Sequence, residues 1–430
     1  MLRLYFLLLL ATGELFAELY FDGQLRLRQE TFHNANEKYY GINPAKGKSH
    51  NDYLLTRVKL GFVYEVDDTL LFKVSGQDAR ALGWGFESDD WYNKEFNQKN
   101  NTQEDYLELH DSYVMKKMGN FELQAGRQKL AFGDRRVFGP GEWKNSGKWI
   151  WDVAKLTYKR DRDWITFFYG KNMLHDENVF SLEHRSGYLG YGFYSHIEFD
   201  KSFILEPMLF GKENKVKNGA YNALEGYYGG FRLYGDVQDF YYDSTALKAF
   251  GEREDTTGYV ADIDALALVG VLGYKANKDL KLGVEYVYAS GDDKKSKSYN
   301  TFDTAFGAAD LYYGRQNMMQ FSNIHDYQLF SIYSFAQKFK SRFEYHKFYA
   351  DQANNRWLSY QIDGMQNTHY GDEADLVTTY NHAKNLSFQL GLTYFIAGGY
   401  MEEASTKRSD ITADNSYSIF TQLLWDFSTK

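Results

Sequence analysis

Beyond Arg3, seven arginines fall in the first third of a 430-residue chain: Arg26, Arg28, Arg57, Arg80, Arg127, Arg135 and Arg136. A guanidinium is a planar fork of donors that can grip a carboxylate through two parallel, charge-assisted bonds. Several on one wall could draw in an anion and hand it from site to site. Lys59 and Lys155 occupy the same stretch, as do Asp22, Asp78, Asp134 and Asp152, which could orient the arginines or set a counter-potential. The competing reading is that each arginine is paired with a neighbouring acid and braces the wall. Trp143 could stack on a sugar ring; Trp149 and Trp151 could do so too, or belong to an interfacial girdle. Hydrolytic chemistry has no comparable constellation. The ten histidines show no HExxH spacing, no GxSxG elbow occurs, and His33, His50, His110, His175 and His325 read as loop or lumen residues. No enzyme activity, metal or cofactor is expected, and no nucleic-acid partner.

The elements that must position these groups follow from period-2 alternation. It predicts eighteen strands, near 19–30, 52–65, 68–80, 105–115, 120–130, 151–159, 163–171, 187–198, 202–212, 223–234, 236–244, 263–275, 279–290, 326–334, 341–350, 374–382, 385–396 and 415–427. Short connections carry turn chemistry, as at Asp67-Asp68, Gly119-Asn120, Gly235-Asp236 and Lys384-Asn385. They alternate with long ones: 31–51, 81–104, 131–150, 172–186, 213–222, 245–262, 291–325, 351–373 and 397–414. Strict alternation of short and long connections is what a transmembrane antiparallel β-barrel requires, with short periplasmic turns and long extracellular loops. A propeller would show a sequence period of some tens of residues, and none is present.

Charge parity agrees with that reading. A charge facing lipid at mid-depth costs a few kcal/mol, so strand charges should share the inward parity. Strand one sets Phe21, Leu25 and Leu27 against Asp22, Gln24, Arg26, Arg28 and Glu30, and strand two sets Val58, Leu60 and Phe62 against Arg57 and Lys59. Arg127 breaks the pattern by sharing the parity of Phe121 and Leu123. A bulge at Gly126 is the favoured explanation, and a position beyond the lipid band the other. Aromatics make up 18% of the chain, with 37 Tyr, 37 Gly, 3 Pro and no Cys. Mean hydropathy of −0.57 argues against a helical membrane protein. Arg3, the run Leu4–Leu10 and Ala17 read as a secretory signal peptide over 1–17, leaving 18–430 as the barrel. Loop 81–104, with Trp84, Phe86, Trp91, Tyr92 and Phe96, is expected to fold into the barrel mouth and narrow it. Net charge is −9, with many acids in the long loops, as at Glu87–Asp90 and Asp292-Asp293.

The segment Tyr417–Phe427 alternates and ends on aromatics, which resembles the closing strand of bacterial outer-membrane barrels. The segment Gly126-Arg-Gln-Lys-Leu-Ala-Phe-Gly-Asp-Arg-Arg136, followed by Trp143-Lys-Asn145 and Asp152, resembles the alginate export family of outer-membrane porins. Arg26-Leu-Arg28 with Glu30, Thr301-Phe-Asp303 with Tyr313-Gly314 and Asn323-Ile324, and Gly371-Asp-Glu373 with Asp375-Leu376 extend the likeness. Two places depart from it: Asp310 stands where the family often has His, and the connection after strand sixteen is a tight turn instead of a gating loop. The resemblance implies an outer-membrane location and an eighteen-stranded barrel. It also implies a cationic constriction passing an anionic polysaccharide or small anionic solutes by passive diffusion. Outer-membrane lipid and periplasmic export components would be the other partners. Uptake of small anions, an adhesin and a purely structural barrel are the alternatives.

Overall fold

The computed structural model describes residues 17–35, 49–83, 105–175, 186–214, 223–254, 257–295, 297–307, 311–358 and 360–430. The expected signal segment, Asp310 and nearly all of loop 81–104 lie outside the described residues.

One antiparallel sheet closes on itself. Its strands are β1 (Glu18–Ala35), β2 (Ser49–Asp67), β3 (Leu70–Gly83), β4 (Asp105–Leu109), β5 (Ser112–Met118), β6 (Phe121–Gln128), β7 (Trp151–Arg160), β8 (Asp163–Met173), β9 (Ser186–Asp200) and β10 (Phe203–Asn214). They continue with β11 (Leu224–Val237), β12 (Phe240–Glu254), β13 (Val260–Lys275), β14 (Leu280–Ala289), β15 (Ile324–Phe335), β16 (Phe339–Tyr349), β17 (His369–Ala383), β18 (Leu386–Ala397) and β19 (Ser416–Ser428). Both β4 and β5 pair with β3, so together they make one pass and the wall has eighteen. Closure comes from β1, which pairs with β2 on one side and β19 on the other.

Alternation explains the two faces. On β13, Leu266, Leu268 and Leu272 are exposed outward, while Ala265, Ala267 and Val269 are buried inward. The same holds on β18 for Leu390, Leu392 and Tyr394 against Thr393 and Phe395. An apolar belt on so many strands is untenable in water and suits lipid. Small residues on the inner face make room for rings. On Gly391 an added Cβ would lie 1.9 Å from Cε1 of its cross-strand partner Phe420. At the seam, Gly23 would meet the Phe427 ring at 2.3 Å, and Lys430 reaches Glu65 at 2.5 Å.

Two local expectations are corrected. The hairpin placed at Gly235-Asp236 turns at Gln238-Asp239, and β12 runs to Glu254 through the expected loop 245–262. Thr245, Leu247 and Ala249 point inward and Lys248 and Phe250 outward, so the alternation simply continues. Gly126 introduces no bulge either: both ladders of β6 keep register through Gly126 and Arg127.

Inside the barrel lies an apolar cluster built by long connections. Residues 129–150 bring Leu130, Val137, Phe138 and Trp149; residues 290–323 bring Phe302, Phe306, Tyr313, Met318 and Phe321; residues 350–368 bring Trp357, Tyr360, Ile362 and Met365. Phe138 forms a parallel bridge with Phe306, and both rings pack on Phe210 of the wall. A short helix, α1 (Gly399–Lys407), adds Tyr400, Met401 and Ala404, and its Glu403 accepts the backbone N–H groups of Gln366 and Asn367.

Candidate functional site

Register on β1 and β2 sets Arg26 directly opposite Arg57. Both side chains face inward and are buried, at 2% and 3% exposure. Like charges directly opposite one another destabilise a sheet, so the pair needs compensation. Among the described residues neither is in a salt bridge with a carboxylate. Their partners are neutral oxygens of the connection 129–150 and of β1. Arg26 donates to the Glu142 carbonyl at 2.6 Å and to Asn145 Oδ1 at 2.8 Å. Arg57 donates to Gln24 Oε1 at 2.7 Å and to the carbonyls of Glu142 and Asn145 at 3.3 Å. Arg28 donates to the Trp143 carbonyl at 2.7 Å, is paired with Glu30 at 2.7 Å, and lies 4.0 Å above the Trp143 ring. Phe420 meets that ring edge-on at 4.7 Å. Asn145 and Ser146 complete the attachment. The Asn145 amide donates to the carbonyls of Thr56 and Arg80, and Gln77 donates to the Ser146 carbonyl.

This clamp forms one side of a cavity of about 480 Å³. Arg26, Arg57 and Arg135 line it on that side. Arg315, Lys340 and Arg342 line it from the connection 290–323 and β16. Among the described residues Glu142 is the one carboxylate in the lining. Burial pushes the Glu142 carboxyl up, but the charges of Lys129, Lys59 and Arg57 override it and hold the group at about 2. Lys129 bonds it directly, and Arg135 stands 3.9 Å away. Arg315 and Arg342 share the buried Glu344, at 2.9 and 2.7 Å. Gln24, Gln389, Gln422 and Thr379 supply neutral polar surface, and Trp143, Phe420 and Leu424 an apolar strip. Anions would meet a surplus of positive charge in a recess whose protein walls focus the field.

Behind Glu344 lies a buried network on β15, β16 and β17. Glu344, His346 and Asp375 offer ligand atoms within 4.8 Å of one another. Each of the three has a protein partner: His346 Nδ1 has Asp326 at 3.0 Å, Glu344 has both arginines, and Asp375 Oδ2 accepts the backbone N–H of Arg315 at 3.0 Å. The group is an internal charge network that ties the connection 290–323 to the wall.

The expected pathway residues scatter. Arg26, Arg28, Arg57 and Trp143 meet in the clamp, and Arg135 joins them at the cavity. Lys59 faces inward behind the clamp, in a small void with Lys129 and Glu142, and Lys155 faces inward on β7. Asp22 holds Lys73 at 2.6 Å. Arg136 and Asp134 pair at 2.9 Å on the far side, with Arg136 also on Glu285 at 2.6 Å and 3.9 Å above the Tyr312 ring. There the guanidinium is held well above its usual range, burial being outweighed by Glu285, the two tyrosines and Asp134. Four residues stand outside the lumen. Asp78 and Arg80 share the outward parity of Phe72 and Val74, pair at 2.7 Å, and have Tyr106 against the guanidinium at 4.4 Å. Arg127 and Asp152 keep the parity of Leu123 and Leu156 and are bonded two-pronged at 2.8 and 2.9 Å, with Glu108 at 3.3 Å. Trp149 and Trp151 are neither girdle nor open platform. Both are buried against Phe306, and Trp149 donates to the Gly307 carbonyl. Missing from the expected set are Arg315, Lys340 and Arg342. The inward parity of Arg342 on β16 was legible, whereas Arg315 lies in a connection with no period to read.

Residues 17–167 and 219–413 match the alginate export family. No curated protein sequence matches the chain significantly. Solved structures share the fold at low identity. OccK8 (OprE) of Pseudomonas aeruginosa is 13% identical with a TM-score of 0.58, over 95% of this chain and 98% of that one. OccAB1 of Acinetobacter baumannii is 12% identical with a TM-score of 0.61, over 95% and 97%. OccK2 (OpdF) of Pseudomonas aeruginosa, crystallised in complex with glucuronate, is 10% identical with a TM-score of 0.60, over 95% and 98%. With the closed barrel, the lipid-facing belt and a match over most of its length, the chain is a bacterial outer-membrane channel and belongs to the alginate export family.

Proposed function

We propose that this channel passes carboxylate-bearing saccharides, alginate-like polyuronate among them, by passive diffusion and without catalysis. One observation carries the reading: among the described residues the cavity lining holds six cationic side chains against one carboxylate, although the whole chain is acidic. Guanidinium groups suit the planar carboxylate of a uronate, and several weak sites in a row let a chain move on instead of being trapped. The apolar strip of Trp143 and Phe420 suits a sugar ring, and the glucuronate bound to OccK2 is the same class of solute. A narrower reading is uptake of small anions such as single uronates. The packed core that long connections build inside the barrel favours it, because a polymer needs a continuous open lumen. Planar-bilayer recordings with uronate oligomers of increasing length separate the two. Polymer passage predicts brief, length-dependent blocks that end sooner as voltage rises. Small-solute uptake predicts that long oligomers block without exit while glucuronate carries current. Neutral dextran blocking as well as either would refute both.

A further inference from the structure

The stretch that the arginines clamp is built as a flap. Residues 142–146 lie between Gly141, at φ +61°, and Gly147, at φ +90°, with Pro140 just before. Both glycines occupy the left-handed region that other residues avoid, so the chain reverses direction at each end of the stretch. Between them Trp143 rests on Arg28 and Phe420, and the acceptors the stretch offers Arg26 and Arg57 are carbonyls and an amide oxygen, all neutral. The Nε groups of both arginines are buried with no partner. A carboxylate offers a guanidinium an opposite full charge and two parallel bonds, which a single neutral oxygen does not. Two adjacent guanidiniums with neutral partners and spare donors are therefore held by bonds that a carboxylate can displace.

We propose that an entering carboxylate takes Arg26 and Arg57 away from the carbonyls of Glu142 and Asn145 and so releases the flap, making the channel open in response to its own solute. Residues of the flap line both the main cavity and the small void beside Lys59 and Lys129, so release would join the two. This rests on the cavity being a carboxylate pathway, and the test keeps the two claims apart.

Ser146 is buried at 2% exposure on the flap, and the chain has no cysteine, so Ser146→Cys gives a single reporter thiol. Purified S146C protein would be treated with a charged, water-soluble thiol reagent in sodium chloride, in sodium glucuronate of equal ionic strength, and in sodium chloride with added glucose. Labelling should be slow in chloride, unchanged by glucose, and several-fold faster in glucuronate. Equal rates in all three, fast labelling in chloride, or glucose acting as well as glucuronate would overturn the flap. The reversal potential of the same variant reports on the pathway separately. Anion selectivity with glucuronate-insensitive labelling removes the flap alone, and cation selectivity removes the pathway beneath it.

Discussion

Reversing Arg135 and Lys340 to Glu should abolish most of the anion preference without disturbing the fold. Both line the cavity and neither holds a structural partner: the Arg135 side chain is half exposed and its contact with Glu142 is a long 3.9 Å, and Lys340 is exposed on β16. Each reversal removes one positive charge and adds one negative, so the lining surplus falls from five charges to one. A unit charge ~8 Å from a passing ion contributes about 0.5 kcal/mol at a water-like dielectric, and one Debye length of screening leaves roughly a third of that. Four units then shift an ion's energy by about 0.7 kcal/mol, roughly threefold against anions and threefold for cations, hence about tenfold in their permeability ratio. The zero-current potential of single channels in a potassium chloride gradient reads that ratio directly. Heat-modifiable migration on a gel would show that the barrel is intact. An intact double variant with unchanged selectivity would refute the reasoning, because the cavity charges would then not set the field the ions feel.

Arg127→Ala should leave selectivity unchanged and lower stability, since it and its two-pronged partner Asp152 carry the outward parity of their strands; a selectivity shift would place it in the pathway after all. Gly391→Ala should weaken the barrel by about 1–3 kcal/mol, because the added methyl collides with the Phe420 ring, and a urea midpoint matching the parent would count against that packing. The depressed Glu142 carboxyl contributes its charge above the usual carboxylate range and loses it only as pH falls toward 2. Anion selectivity should therefore hold from neutral pH down to about pH 4 and rise only below that, as the one acid of the lining is neutralised. A rise already near pH 5 would show that Glu142 is not held by Lys129 and Arg57. Tags inserted within 215–222 should be reachable on intact cells and tags at Asp67-Asp68 should not; labelling at both would reverse or break the strand order.

The barrel was legible because lipid and lumen impose opposite demands on successive residues. Strands such as β13 and β14, with Leu and Val outward, could be traced with ends wrong by a few residues. The hairpin at Gln238-Asp239 was misplaced because Gly235-Asp236 carries stronger turn chemistry than the place where the chain turns, and cross-strand register won over local preference. Parity also foretold that Arg26, Arg28, Arg57 and Lys59 face inward. It could not reveal what they touch, since the Glu142–Ser146 stretch sits in a connection without periodicity and more than eighty residues from Arg57. The same limit hid Arg315. Arg80 and Arg127 mislead for another reason: charge type suggested the lumen, but their strands kept register and left them outside, neutralised by Asp78 and Asp152. Loop 81–104, the expected plug for its aromatics, lies beyond Gly83 outside the described residues; among those described, 129–150, 290–323 and 350–368 fill the interior with apolar residues that are dispersed along sequence and converge only in space.

The central claim is that an acidic protein carries a cationic pathway. Its most direct test is the zero-current potential of the purified wild-type channel in a planar bilayer with a potassium chloride gradient, repeated with potassium glucuronate. The cavity predicts a potential of the sign set by chloride diffusion, and retention of that sign with glucuronate. A potential of the sign set by potassium in chloride would contradict it, and the arginines of β1 and β2 would then be braces for the connection 129–150 and nothing more.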